Sequence, residues 1–401
     1  MSAITAARLG TTPLRLLRRG AAIAALMLIA ACQPVGMAAN TGPNTGQTID
    51  PSQPVPVALL VPGGSGSADL EWLARSLRNS ARMAAADAQG ARIDLRIYDT
   101  GGSTEQAVAR ANEAVAAGAK IIVGPLFAEA ANAVALAMKP HDVNVLSFSN
   151  NAEIAGGNLF VLGNTFGSVA DRLVGYGVRQ GKRRILEVAE DDVAGQIGGR
   201  AIEGAIARNG ASLAGKVSHP VSQQGIDGVT PQIAAAAKSG QIDAIFMTAN
   251  QGAVLPYLTD SLAAAGVTSE VTQFMGLTRW DEPSSRLTLP GVQGGWFALP
   301  DIGRQAQFDA RYRAAHGEAP HRLGGLAYDG VAAIAALARA GKRNALMKSG
   351  LTQSSGFQGV SGAFRLRPDG TNQRTLSVAT IRGNRVVILE PAPSGFRGAG
   401  F

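Results

Sequence analysis

The chain has 401 residues, and its 37 Lys and Arg side chains outnumber its 29 Asp and Glu side chains, which gives a formal net charge of +8. The basic residues are not clustered as in a nucleic-acid-binding protein, so we expect no nucleic-acid partner. A chain of this length exceeds what one hydrophobic core usually supports, which predicts two lobes.

The first residues have the layout of an export signal. Arginines but no acidic residues precede an apolar run at residues 21–31, and small residues close that run. A membrane-spanning helix needs about 20 apolar residues, so the run is too short to be an anchor itself. Cys32 is the only cysteine and directly follows this run, in a position that resembles the lipobox of bacterial lipoproteins. The resemblance implies a signal peptide at residues 1–31 and a lipid on Cys32, whereas the alternative is an ordinary secretory signal with a cysteine near its cleavage site.

The rest of the chain begins with a tether and continues with alternating elements. Residues 32–56 are rich in Gly, Pro, Thr, Asn and Ser and have no hydrophobic period, which predicts a flexible tether. In chain order the sequence then predicts a strand at 57–61, a helix at 70–89, a strand at 93–98, a helix at 104–117, a strand at 121–123, a helix at 130–138, strands at 143–147 and 184–189, a helix at 199–209, strands at 214–221 and 242–248, a helix at 253–264 and a strand at 271–275. Strands separated by helices indicate βαβ units, so the predicted fold class is α/β with two doubly wound parallel-sheet lobes.

Six segments, in order and spacing, carry a resemblance to a known family. They are residues 58–62 (ALLVP), 98–102 (YDTGG), 122–125 (IVGP), 145–150 (VLSFSN), 273–276 (QFMG) and 327–329 (AYD). The chain thereby resembles the periplasmic binding proteins (type I) of the leucine/isoleucine/valine-binding type over essentially residues 57–390.

The resemblance implies three passages between the lobes, and it sets the expected domain organisation. Hinges are expected near residues 163–166, 295–299 and 372–376. The predicted parts are lobe 1 at residues 57–164 and 298–372, lobe 2 at 165–297 and 376–390, and a C-terminal tail at 391–401.

The ligand is expected at the loops that follow the strands, because ligands of open α/β sheets lie outside the carboxyl ends of the strands. These loops offer hydroxyl, amide and backbone groups that can donate and accept hydrogen bonds. The candidate ligand-binding residues are Phe127, Ala128, Glu129, Ser147, Ser149, Asn150, Asn151, Ala194, Asn250, Gln251 and Thr278.

Several of these residues depart from what the family implies. Ala128 and Glu129 stand where relatives supply hydroxyls to a ligand carboxylate, and an acid there would repel it. Ala194 stands where an aromatic often closes over the ligand. Thr278, or alternatively Arg279, stands where amino-acid binders carry an acid for the ligand ammonium, whose burial needs an acceptor. The sequence therefore predicts the fold but not a leucine-like ligand.

No motif in the sequence predicts an enzyme, a cofactor or a metal site. The chain has four histidines, His141, His219, His316 and His321. None forms a pair at i, i+4, and a zinc site needs three or four ligands in fixed geometry.

Two functions remain open. The resemblance implies a lipid-anchored periplasmic protein that binds a small amino-acid-like or peptide-like solute and presents it to an ABC permease. The same two-lobed domain also occurs in lipoproteins that resemble activators of penicillin-binding proteins, whose partner is a peptidoglycan synthase. Gln33, in place of Asp after Cys32, favours the outer membrane and hence this second function.

Overall fold

The computed structural model describes residues 44–249 and 252–396. Its first sheet has five parallel strands in the order β2-β1-β3-β4-β5. These strands are β1 (Val55–Val61), β2 (Ile93–Asp99), β3 (Ile121–Val123), β4 (Asn144–Ser147) and β5 (Leu159–Val161). Strands β3, β4 and β5 are buried along their whole length, as expected where helices cover both faces of a parallel sheet.

The remaining strands form a second large sheet and a small one. They are β6 (Arg184–Glu190), β7 (Ser212–His219), β8 (Ala244–Met247), β9 (Gln273–Gly276), β10 (Trp296–Leu299), β11 (Phe357–Gly359), β12 (Gly362–Leu366), β13 (Asn372–Arg374), β14 (Ser377–Arg382) and β15 (Arg385–Glu390). The second sheet has the order β15-β14-β10-β9-β8-β6-β7. It is parallel from β7 to β10 and antiparallel where β14 and β15 join it. Strands β11, β12 and β13 form the small antiparallel sheet.

Helices connect the strands and cover the sheets. They are α1 (Ala68–Ala86), α2 (Thr104–Ala116), α3 (Ala128–Met138), α4 (Phe166–Arg179), α5 (Val193–Arg208), α6 (Gln223–Lys238), α7 (Val254–Ala264), α8 (Ile302–His316), α9 (Gly325–Arg339) and α10 (Lys348–Leu351). Short 3-10 helices lie at Lys139–His141, Ala152–Ile154, Ser284–Thr288 and Pro290–Val292. Within the described ranges, no helix combines the length and the apolar character needed to cross a membrane.

Each large sheet is the centre of one lobe. In the first lobe, α1, α9 and the small sheet pack on one face, while α2 and α3 pack on the other. In the second lobe, α6 and α7 cover one face, and α4 and α5 cover the other. The predicted α/β class with two doubly wound lobes is confirmed, and the residue bounds assigned to the lobes stay predictions.

One predicted helix begins earlier than expected. The sequence predicted this helix at residues 199–209, but α5 begins at Val193. The Asp192 side chain accepts a hydrogen bond from the Gly195 amide at 2.6 Å and so caps the helix. A Cβ added to Gly195 would lie 2.0 Å from the Glu190 carbonyl oxygen. Gly195 therefore permits the close approach of α5 to β6, the strand before it.

Candidate functional site

A cavity of about 810 Å³ lies between the two lobes, at the carboxyl ends of strands β3, β4, β9 and β10. The loops after β3 and β4 and the start of α9 contribute the wall from the first lobe. The loops after β9 and β10 and the start of α4 contribute the opposite wall. The lining residues fall within 126–128, 148–151, 163–169, 277–286, 298–305, 322–329, 360–361 and 374–376. A crevice at this edge of parallel sheets is where ligands of open α/β folds bind.

Most of the predicted ligand-binding residues lie around this cavity. The residues that line it are Phe127, Ala128, Ser149, Asn150, Asn151 and Thr278. Glu129 and Ala194 are in the first turns of α3 and α5 and do not line it. Asn250, Gln251, Cys32, the predicted signal and the predicted tether up to residue 43 lie outside the described residues. The described part of the predicted tether is not a flexible segment, because Ile49 is buried in the core of the first lobe and β1 already begins at Val55.

Ser147 has a structural position instead. Its side chain is fully buried, and its hydroxyl donates to the Pro125 carbonyl oxygen at 2.9 Å. The Ser147 hydroxyl oxygen in turn accepts from the Ser149 amide at 3.1 Å. The first bond ties the end of β4 to the loop after β3, and the second shapes the loop after β4, so Ser147 shapes the cavity wall without reaching the cavity.

Several polar groups that line the cavity are already used by their own loops. The Asn151 side chain accepts from the Glu153 amide at 2.9 Å and caps a 3-10 helix. The Thr278 hydroxyl donates to the Ala249 carbonyl oxygen at 3.0 Å. In contrast, the exposed Asn150 side chain has no hydrogen bond to a described residue.

Two acidic residues line the cavity, and the first, Asp329, is paired with an arginine. It accepts from Arg374 Nη1 at 2.8 Å and from the Val360 amide at 2.8 Å. Burial raises the pKa of the Asp329 carboxyl, and the charge of Arg374 and its hydrogen bond oppose that rise. Arg374 also donates to the Leu162 carbonyl oxygen from Nε and Nη2, at 2.9 and 2.7 Å.

The second acid, Glu282, pairs with Arg279 across 3.1 Å. Arg279 Nε also donates to Asp281 at 2.6 Å. Burial lowers the pKa of the Arg279 guanidinium, but the hydrogen bond and charge of Asp281 outweigh burial, and its pKa is raised. Each carboxylate that lines the described part of the cavity thus already has an arginine partner.

Arg286 is different from these arginines. It belongs to the 3-10 helix Ser284–Thr288, lines the cavity and is 9% exposed. Its Nη1 donates to the Arg279 carbonyl oxygen at 3.3 Å. Its Nε is buried and has no hydrogen-bond partner among the described residues. No described carboxylate pairs with it.

A family model described as periplasmic binding protein matches residues 54–385. The chain belongs to the periplasmic binding protein family. The resemblance carried by the six sequence segments is thereby confirmed, and the family is one of solute-binding proteins. No curated protein matches the chain.

Solved structures of this family are similar to the chain in fold. A branched-chain amino acid ABC transporter periplasmic ligand-binding protein from Burkholderia xenovorans LB400 is 16% identical, with a TM-score of 0.62 over 85% of this chain and 96% of that one. An ABC transporter substrate-binding protein from Desulfitobacterium hafniense, in complex with Leu, is 18% identical, with a TM-score of 0.58 over 84% and 100%. A solute-binding protein from R. palustris, in complex with benzoate, is 14% identical, with a TM-score of 0.53 over 87% and 99%. Identities this low show the shared fold alone.

Sequence reasoning missed the two cavity cations of this periplasmic binding protein that pair with no described carboxylate. They are Arg286 and Arg322. Neither follows a strand directly, so the rule that ligands lie at strand ends gave no signal for them. No group of three or more His, Cys, Asp or Glu suited to a metal ion occurs within the described ranges.

Proposed function

We propose that the protein binds a small extracytoplasmic solute in the cavity between its lobes and presents it to an ABC permease. The observation that carries this proposal is the cavity itself, which both lobes line at the carboxyl ends of their strands. Its volume of about 810 Å³ lies within the range of about 300–1,000 Å³ that is common for small-molecule sites. The proposal requires binding only, without catalysis.

Closure of the two lobes would complete the site. The chain passes between the large sheets after β5, after β10 and after β13. The first and third passages are joined by Asn372, whose amide donates to the Val161 and Gly163 carbonyl oxygens at 2.8 and 2.7 Å. We propose these connected segments as the hinge. Closure around a solute excludes water and strengthens its polar contacts.

A cavity-filling substitution tests where the solute binds. Asn150→Trp places a large side chain in the cavity at a position whose amide has no hydrogen bond to a described residue. We expect it to abolish the calorimetric heat of any solute that the full chain binds. Asn112→Trp is the matched control, because Asn112 is exposed on α2 and does not line the cavity. Equal binding by both variants would place the solute elsewhere.

The class of solute is a separate proposal. The Leu-bound relative supports an amino-acid-like or peptide-like ligand, and the benzoate-bound relative supports a carboxylate without an ammonium group. Both ligands carry a carboxylate, so we propose that this group is part of what the cavity recognises.

We further propose that the protein is anchored in the periplasm by a lipid on Cys32. The support is the export-signal layout before Cys32. Mass spectrometry of the N-terminal peptide tests this proposal. An acylated Cys32 with residues 1–31 removed is the expected result, and an unmodified Cys32 would contradict it.

One observation favours a second function, the activation of a peptidoglycan synthase from the outer membrane. Both acids that line the cavity are already paired, so the usual acceptor for an amino-acid ammonium is absent from its described lining. Crosslinking of the full chain in cells distinguishes the two functions. Capture of a permease supports transport, and capture of a peptidoglycan synthase supports activation.

A further inference from the structure

Arg286 is a cation held in the cavity wall without a carboxylate. From this arginine we infer that the ligand is an anion with an apolar body, a carboxylate and no ammonium group. We further infer that Arg286 binds this carboxylate. The inference rests on the proposed solute-binding function and specifies the solute class.

The first argument is the free energy of a buried charge. A buried guanidinium without a partner is costly, and buried charges are therefore paired in folded proteins. Arg374 and Arg279 follow this rule through Asp329 and Asp281. Among the described residues, Arg286, at 9% exposure, has only one long hydrogen bond, to a carbonyl oxygen, and no carboxylate partner. Because Arg286 lines the cavity, an anion there would pair with the charge of its guanidinium.

The second argument is the charge of the whole cavity. Among the described residues, four arginines and two acidic residues line it. Arg322 comes from the first lobe, is exposed, and forms no ion pair or hydrogen bond through its side chain with a described residue. Arg286 comes from the second lobe, so an uncompensated cation stands on each side. A cleft lined by one sign of charge concentrates ligands of the opposite sign.

The third argument excludes an ammonium group. Glu282 and Asp329, the acids that line the described part of the cavity, are held by Arg279 and Arg374. An ammonium in the closed cavity would therefore lose its water and gain only a carboxylate whose charge an arginine already offsets. A zwitterion would carry the same cost at one end of the molecule.

The apolar part of the solute follows from the remaining walls. The apolar side chains that line the cavity are Leu126, Phe127, Phe148, Phe166, Leu277 and Leu323, among others. Phe127 is 41% exposed, which is unusual for so large an apolar side chain. Burial of such surface by a ligand is favourable, so a small carboxylate with an aliphatic or aromatic body fits these walls.

Matched solutes that differ only in the charged group test this inference. The full chain, purified in non-ionic detergent, is titrated calorimetrically with three triplets: 4-methylpentanoate, isopentylamine and leucine; phenylacetate, benzylamine and phenylglycine; and 3-phenylpropanoate, 2-phenylethylamine and phenylalanine. We expect a carboxylate to bind, its amine not to bind, and its amino acid to bind more weakly. Binding of an amine or amino acid but of no carboxylate would overturn the inference and leave the proposed function standing. If no compound binds, the solute-binding function falls, and the inference falls with it.

Substitution of Arg286 then tests the residue. Arg286→Gln is expected to weaken carboxylate binding about 10- to 100-fold, which is the effect of one hydrogen bond to a charged group. Arg313→Gln is the control, because Arg313 is exposed on α8 and does not line the cavity. Carboxylate affinity unchanged by Arg286→Gln would overturn the assignment.

Thermal unfolding without ligand separates ligand binding from a structural role. Removal of an unpaired buried charge should leave the Tm of Arg286→Gln unchanged or raise it. If the Tm falls and binding is lost, Arg286→Lys decides, because it keeps the charge. Carboxylate binding restored by lysine supports the inference, and binding still absent overturns it.

Discussion

Replacement of Asp329 by Ala is expected to lower the free energy of unfolding by about 3–5 kcal/mol, the usual cost of leaving one buried charge without its partner. The partner here is Arg374, whose side chain is 3% exposed. Without Asp329, its Nη1 would lose a 2.8 Å hydrogen bond, and its nearly buried guanidinium would lose its carboxylate. Denaturant unfolding of the ligand-free protein measures the loss.

A double variant provides the control for this pair. In Asp329→Leu/Arg374→Met both charges are gone, so the penalty for an isolated buried charge disappears. Recovery should be partial, because the Val360 amide and the Leu162 carbonyl oxygen lose their partners. A loss in Asp329→Ala below about 1 kcal/mol, the size typical of an exposed pair, would contradict this account.

The second large effect is expected at Trp280, which lies in the core of the second lobe and is fully buried. Trp280→Ala should lower the free energy of unfolding by about 3–5 kcal/mol, through lost burial and the cavity left behind. Cβ atoms added to Gly276 or Gly295 would each lie 2.0 Å from the indole. The ring therefore packs directly on the backbone beside β9 and β10, where no smaller residue would fill the space. Denaturant unfolding again measures the change.

Trp280→Phe is the matched control for this prediction. It keeps an aromatic ring and removes Nε1, which is buried and has no hydrogen-bond partner in the part of the chain that the structure describes. The loss should therefore be much smaller than for alanine. Similar losses in both variants would show that the ring does not fill the space as described. Because Thr278 and Arg279 precede Trp280 in the same loop, we also expect Trp280→Ala to weaken solute binding.

Much of the fold could be predicted from sequence because its strands are short apolar runs. The strand predicted at residues 121–123 has those bounds in the structure, and the helix predicted at 104–117 ends one residue earlier. The predicted helix at 199–209 starts later than α5, whose first turns contain glycines that local propensity disfavours but that close packing on Glu190 and Thr248 requires. Tertiary packing thus overrides local preference at this position.

The candidate site was predictable in place but only partly in chemistry. Strand-end loops were expected to meet at one edge, and the residues in them that line the cavity include Ser149, Asn150 and Thr278. The sequence could not show that the Thr278 hydroxyl is already bonded to Ala249. Nor could it show that Arg286 is buried without a carboxylate, because pairing of charges depends on segments that meet only in the folded chain.

A crystal structure of the protein with its tightest-binding carboxylate tests the central claim most directly. We expect the solute in the cavity between the lobes, with its carboxylate within hydrogen-bond distance of Arg286 and its apolar part against Phe127. A solute bound outside this cavity would contradict the proposed function. The solute could instead lie inside the cavity with its carboxylate facing Asn150 and the first-lobe loops, while Arg286 contacts no anion. That result would contradict the assignment of Arg286 as the residue that binds the carboxylate.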